Sequence, residues 1–85
     1  MTQKTVTIKT SLDARQAAFF VQKAGQYQSD IRLTLDEKKV NAKSIMGMMS
    51  LGLDAGESVT VSVDGVDEEE AMKSIEEYLS KKAEV

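Results

Sequence analysis

The chain contains no cysteine, no histidine and no proline. Without cysteine there is no disulfide framework, no thiolate nucleophile and no Cys-based zinc or iron–sulfur site. Without histidine there is no imidazole base, nucleophile or ligand, and the side chain that ordinarily titrates near neutrality is missing. Without proline no native cis X–Pro bond slows folding. Long apolar runs are also lacking. The longest, Ala17 to Val21 and Ile45 to Met49, fall far short of a membrane span, and the first residues do not read as a secretory signal. These absences predict a soluble, cytoplasmic protein with no membrane association.

What is present is 85 residues, 41% hydrophobic and 29% charged. That length predicts one domain over residues 1–85, burying about 63% of the extended chain's surface. The net charge of -3 hides a polarity along the chain. Residues 1–45 hold eight Lys/Arg against four Asp/Glu, a balance of +4, and residues 46–85 hold three against ten, a balance of -7. The late acids repel a nucleic-acid backbone, so direct DNA binding is disfavoured, while the early basic residues suit an acidic or phosphorylated surface.

Val6 and Ile8 alternate with Thr5, Thr7 and Lys9, which predicts a strand over 5–9. Asp13 stands at a helix start with Gln16 three residues on, an aspartate form of the capping box. Ala17, Phe20, Val21 and Ala24 then share a helix face that ends near Gly25, where a left-handed terminus is expected. Ile31, Leu33 and Leu35 alternate before a polar turn at 36–38, and Lys39-Val40-Asn41 returns as the second arm of a hairpin. A short helix follows Ser44, where Ile45, Met48 and Met49 give the spacing of a short apolar face with Met46 beside it, Met48 inward, and Gly47 and Gly52 limit its length. Val59, Val61 and Val63 mark the last strand. After Asp64-Gly65 a final helix is capped by Asp67, with Ala71, Met72, Ile75, Tyr78 and Leu79 inward and Lys81 and Lys82 matched to its terminal dipole. The order is β-α-β-β-α-β-α: an α+β, open-faced two-layer sandwich with a four-stranded antiparallel sheet and three helices.

Candidate chemistry gathers in Asn41-Ala42-Lys43-Ser44-Ile45-Met46-Gly47. Phosphorylation of Ser44 would set about -1.5 to -2 charges beside unpaired helix N–H groups. Those oxygens would also be strong acceptors for a partner's Arg or Lys. Ile45, Met46 and Met49 beside it can present an adaptable apolar contact, and Lys43 supplies a neighbouring cation. The plainer reading, that Ser44 is simply a helix cap, stands beside this one. Arg15 opens the first helix with a charge that opposes its dipole, a cost that an anionic partner would offset. Other signatures are weak. Gly47-x4-Gly52 lacks a following Lys-Ser/Thr and is no phosphate loop; Asp67 to Glu70 reads as a solvated helix start; Tyr27 and Tyr78 are isolated aromatics.

The run Lys38 to Leu51, KKVNAKSIMGMMSL, resembles the regulatory-serine region of the phosphocarrier HPr family, and the likeness extends over nearly the whole chain. Within that family the chain looks most like the catabolite-repression paralogues. The resemblance implies an HPr-like fold and assigns Ser44 as the residue phosphorylated by a bifunctional HPr kinase/phosphorylase, with ATP and Mg2+ belonging to the kinase. The family's other phosphorylation site is a histidine before Ala-Arg-Pro. Here that stretch reads Asp13-Ala14-Arg15-Gln16, so Asp13 holds the histidine position, Arg15 is kept and Gln16 replaces proline. The resemblance thus implies a non-enzymatic regulator without cofactors that has lost the sugar-transport phosphorelay. Its Ser44-phosphorylated form would act as corepressor for a LacI/GalR-type catabolite control repressor, through Arg15, Lys43, Ser44, Ile45, Met46 and Met49. Three alternatives remain open: an interaction domain without a Ser44 switch, a variant phosphocarrier using Asp13, and control of a metabolic enzyme by the unmodified protein. Exposed strand edges also permit a homodimer.

Overall fold

The computed structural model describes residues 1–9 and 11–80. Along them run β1 (Thr2–Thr7), α1 (Ala14–Ala24), β2 (Asp30–Leu35), β3 (Lys38–Asn41), α2 (Ile45–Leu51), β4 (Ser58–Asp64) and α3 (Glu68–Ser80). The four strands form one antiparallel sheet in the order β1-β4-β2-β3. Alternation decides its two faces. Val59, Val61 and Val63 of β4 and Ile31 and Leu33 of β2 are buried beneath the helices, where they meet Ala17, Phe20, Met48, Ala71 and Ile75. Each such branched side chain contributes about 1.5–3 kcal/mol by leaving water. On the other face Thr5, Thr60, Thr34 and Lys39 follow one another across the four strands in register. That face is polar, as a sheet covered on one side requires.

The fold matches the sequence reading in element order, with shifts at the ends. β1 begins at Thr2 because pairing extends to Thr2↔Val63, and it ends at Thr7. Ile8 is still inward at 1% exposure, but its N–H bonds Glu57 O at 2.7 Å, in the loop before β4. Lys4, on the inward side of this edge strand, reaches past the core to Glu76 of α3 at 3.4 Å. An inward charge on an edge discourages stray strand pairing. Lys38 belongs to β3 and not to the turn, which Asp36 makes by taking a left-handed φ of 55°.

Three local expectations are corrected. Gly25 is right-handed, at φ -67°, because α1 tightens into the following turn through Gln26 N–H to Lys23 O and Tyr27 N–H to Ala24 O. Gln16 does not close a capping box, since its side-chain oxygen accepts the Tyr78 hydroxyl at 3.0 Å. Asp67 caps α3 only through its carbonyl, which accepts Ala71 N–H at 2.9 Å. Its carboxylate turns away to the α1–β2 connection, accepting Gln28 N–H at 2.8 Å, Ser29 N–H at 2.9 Å and the Ser29 hydroxyl. These contacts, the Ser29 hydroxyl first and then the Gln28 N–H, hold the Asp67 carboxyl below the usual carboxylate range. Gly65 belongs to the same junction: at φ 158°, a Cβ there would lie 2.5 Å from Ser29 Oγ. Lys81 and Lys82, expected to complement the end of α3, lie outside the described residues.

Candidate functional site

The junction of β3 and α2 is set by Asn41. Its side-chain oxygen accepts Lys43 N–H at 2.9 Å and its carbonyl accepts Ser44 N–H at 3.0 Å. The chain is thereby turned so that Ser44, extended at φ -105° and ψ 116°, stands at the head of α2. Ser44 Oγ accepts Gly47 N–H at 3.2 Å and Ser44 O accepts Met48 N–H at 3.0 Å. The expected cap is therefore formed, and it leaves the hydroxyl half-buried at the surface. Gly47 does more than limit the helix: a Cβ at this position would lie 3.3 Å from Val40 Cβ and 3.4 Å from Ser44 Oγ. Its absence lets the first turn of α2 lie against β3. The sequence pattern shows a glycine there but not the close approach that needs it.

One face of this helix belongs to the core and the other to solvent. Met48 is 1% exposed, whereas Met46 is 79% and Met49 51% exposed, and Ile45 is 38% exposed beside them. Lys43 is placed differently from a free surface cation. Its ammonium donates to Tyr27 O at 2.7 Å, which ties the residue before Ser44 to the connection after α1. The same connection is held from the far side by Asp67.

α1 packs against α2 and brings in the other sequence-predicted residues. Arg15 is exposed on its first turn, with its guanidinium 6.0 Å from the centroid of the Phe19 ring. Phe19 is 50% exposed. It was missed by sequence reasoning because its neighbour Phe20 fits the core periodicity; the signal was its place four residues after Arg15 on the same helix face. Asp13 Oδ1 accepts Gln16 N–H at 2.9 Å. A proline at position 16 has no N–H to give, so the aspartate and the glutamine form one working cap. Above them Tyr78 of α3 shares its one hydroxyl hydrogen between Gln16 Oε1 at 3.0 Å and Gln16 O at 3.1 Å. Burial pushes the Tyr78 phenol pKa up, and the Asp13 carboxylate adds to that shift. The structure thus shows Ser44, Ile45, Met46 and Met49 together on α2, Lys43 turned into the loop, and Arg15 and Asp13 on the packed neighbour α1.

The acidic run is dispersed. Asp67 faces the α1–β2 connection, and Glu68 Oε1 accepts Gly65 N–H at 3.2 Å while its other oxygen pairs with the Met1 ammonium at 3.3 Å. No helix among the described residues is long and apolar enough to cross a membrane.

The family model described as the PTS HPr component phosphorylation site matches residues 2–81. The HPr-like protein Crh of Halalkalibacterium halodurans is 48% identical over 79 residues, covering 93% of this chain and 94% of its own. A phosphocarrier protein HPr from Bacillus anthracis superposes with a TM-score of 0.88 at 44% identity, over 92% of this chain and 95% of that one. The Bacillus subtilis catabolite-repression protein Crh, whose crystal structure is described as a domain-swapped dimer, gives 0.79 at 46% identity over the whole of both chains. With its fold, its serine-capped α2 and a match along nearly its full length, the chain belongs to the HPr family and is similar to that family's catabolite-repression members.

Proposed function

We propose that this chain is a non-enzymatic, cytoplasmic regulator of carbon catabolite repression, switched by phosphorylation of Ser44. The donor is ATP, held with Mg2+ by an HPr kinase/phosphorylase. Ser44 Oγ attacks the γ-phosphorus, an O–P bond forms, the bond to ADP breaks, and the hydroxyl proton passes to a base on the kinase. The observation that carries this reading is the placement of Ser44 Oγ, half-buried at the head of α2, with Met46 and Met49 outward on the same helix. A phosphate there adds about -1.5 to -2 charges where unpaired helix N–H groups favour them, so the modified protein needs no large refolding.

In this reading the modified chain is the corepressor of a LacI/GalR-type control protein, and that partner contacts DNA. Its basic groups take the phosphate, Met46, Met49 and Ile45 fill its apolar contact, and Arg15 meets an acidic patch. Lys43 acts from its tie to Tyr27 O, holding the residue that precedes Ser44 in place. In this reading Asp13 serves as a cap, its Oδ1 accepting Gln16 N–H. Incubation with the kinase and ATP, followed by phosphosite mapping, tests the switch: label is expected on Ser44, and an active kinase that leaves Ser44 bare refutes it. Incubation with the phosphorylated general transport enzyme is expected to give no hydroxylamine-sensitive phosphate on Asp13, and such a phosphate would restore the carrier reading.

A homodimer is also part of this proposal, supported by the dimer described for the similar Crh. In the sheet, β1 pairs with β4 and β3 with β2, so each has one side unpaired within it. Sedimentation at rising concentration is expected to show a monomer and a dimer, and a single monomeric species throughout would contradict this.

A further inference from the structure

Among the exposed groups of the described residues, the thioethers of α2 stand apart. Three methionines lie in this one seven-residue helix, with exposures of 79% at Met46, 1% at Met48 and 51% at Met49. Met72, in α3, is 2% exposed. The chain has no cysteine, so no thiol competes for a hydroperoxide. Met48 and Met49 are adjacent in sequence and have the same chemistry, and they differ only in what covers them. Helix geometry imposes that difference: one side chain packs under α2 and the next points out.

We propose that Met46 and Met49 form a paired oxidation site through which a hydroperoxide makes the solvent face of α2 polar, while Met48 is spared. The docking consequence rests on the function proposed above. At each site the sulfur lone pair attacks one peroxide oxygen, an S–O bond forms and the O–O bond breaks. Sulfur loses two electrons and becomes the sulfoxide. Hydrogen peroxide is reduced, and its second oxygen leaves as water after taking up a proton. The product replaces a flexible apolar tip with a strong acceptor, and an apolar partner surface then meets an unpaired polar group. The core is left alone because Met48 and Met72 stay reduced. Sulfoxide reductases reverse the reaction, so the site is a switch independent of the Ser44 phosphate.

The test uses the full chain, with and without phosphate on Ser44, treated with hydrogen peroxide. Peptide mapping by mass spectrometry is expected to show sulfoxide at Met46 first and Met49 next, with Met48 and Met72 at least about tenfold slower. Met1, 77% exposed just before β1, is read separately in the same map. Retention on a hydrophobic-interaction column is expected to shorten with oxidation. Affinity of the phosphorylated protein for the repressor is expected to fall about tenfold. Methionine sulfoxide reductase should restore both. A Met46→Leu/Met49→Leu variant, whatever its starting affinity, should show no peroxide-dependent change in affinity, and its retention should shorten only by the part that Met1 oxidation accounts for. Oxidation of Met48 as fast as Met46, or unchanged retention and affinity after full oxidation of Met46 and Met49, overturns the proposal. So does a loss of affinity that persists in the double-leucine variant. A phosphorylated protein that fails to bind the repressor before any peroxide is added defeats the functional reading instead, and the site map and column retention still decide the oxidation site.

Discussion

The first turns of α1 and α2 are built to one plan and carry different chemistry. Asp13 Oδ1 accepts the N–H of Gln16 at 2.9 Å, and Ser44 Oγ accepts the N–H of Gly47 at 3.2 Å. Each residue is extended, each satisfies one of the orphan donors of its helix, and the two helices pack together. The difference lies in what the capping oxygen can become. An aspartate offers no hydroxyl to a serine kinase, so in the proposed function the start of α1 keeps one state. A serine hydroxyl can accept a phosphoryl group, so in the proposed function the start of α2 has two, separated by up to two charges. A cap is thus a natural place for a switch: the same N–H groups that bind the hydroxyl oxygen suit the phosphate that replaces its proton.

The largest effect expected is from breaking the second cap. Ser44→Ala removes the phosphate acceptor, so kinase-dependent binding to the repressor should fall by at least about 100-fold, read by calorimetry. The lost cap should also cost about 1 kcal/mol in a urea melt. Ser44→Asp makes the second cap resemble the first. It should keep the helix but bind the repressor about tenfold more weakly than the phosphorylated protein, because one charge on a shorter arm replaces nearly two. At the first cap, Asp13→Ala should cost about 1 kcal/mol and Asp13→Ser only a few tenths, and neither should alter the rate at which Ser44 is phosphorylated.

The smallest effect concerns the third helix start, where Asp67 spends its carboxylate on a distant turn. Its pKa is lowered in the folded protein, so its contribution to stability is present above the ordinary carboxylate value of about 3.9 and is lost as pH falls through the folded value. Urea melts from pH 7 down to pH 3 should show this acid loss, with a shallower slope for Asp67→Asn. An equal slope in both proteins would mean the contact to Gln28 and Ser29 carries no linkage.

Much of this was legible in the sequence because it is local. The alternating valines of β4, the capping residues Asp13 and Ser44, and the inward Met48 follow from periodicity and from hydrogen bonds that span three residues. What was not legible depends on residues brought together from afar. Asp67 reads as a cap by position, yet Ser29, 38 residues away, takes its carboxylate. Gln16 reads as half of a capping box, yet Tyr78, 62 residues away, takes its side chain. In both cases a buried or half-buried polar group needed a partner more than an exposed helix start did. Lys43 reads as a free cation, and only the fold brings the Tyr27 carbonyl within its reach. Arg15 could be placed on the surface from sequence, but Met49 shares the apolar spacing of Met48 and is exposed only in the fold, and Phe19 was hidden by the core pattern of Phe20.

In the proposed function one oxygen on α2 sets affinity for a partner. The most direct measurement of this is a calorimetric titration of the repressor with two samples of the chain, one fully phosphorylated on Ser44 and one untreated. Saturable binding of the phosphorylated sample is expected, with at least about 100-fold weaker binding of the untreated one. Equal affinity for both would contradict it.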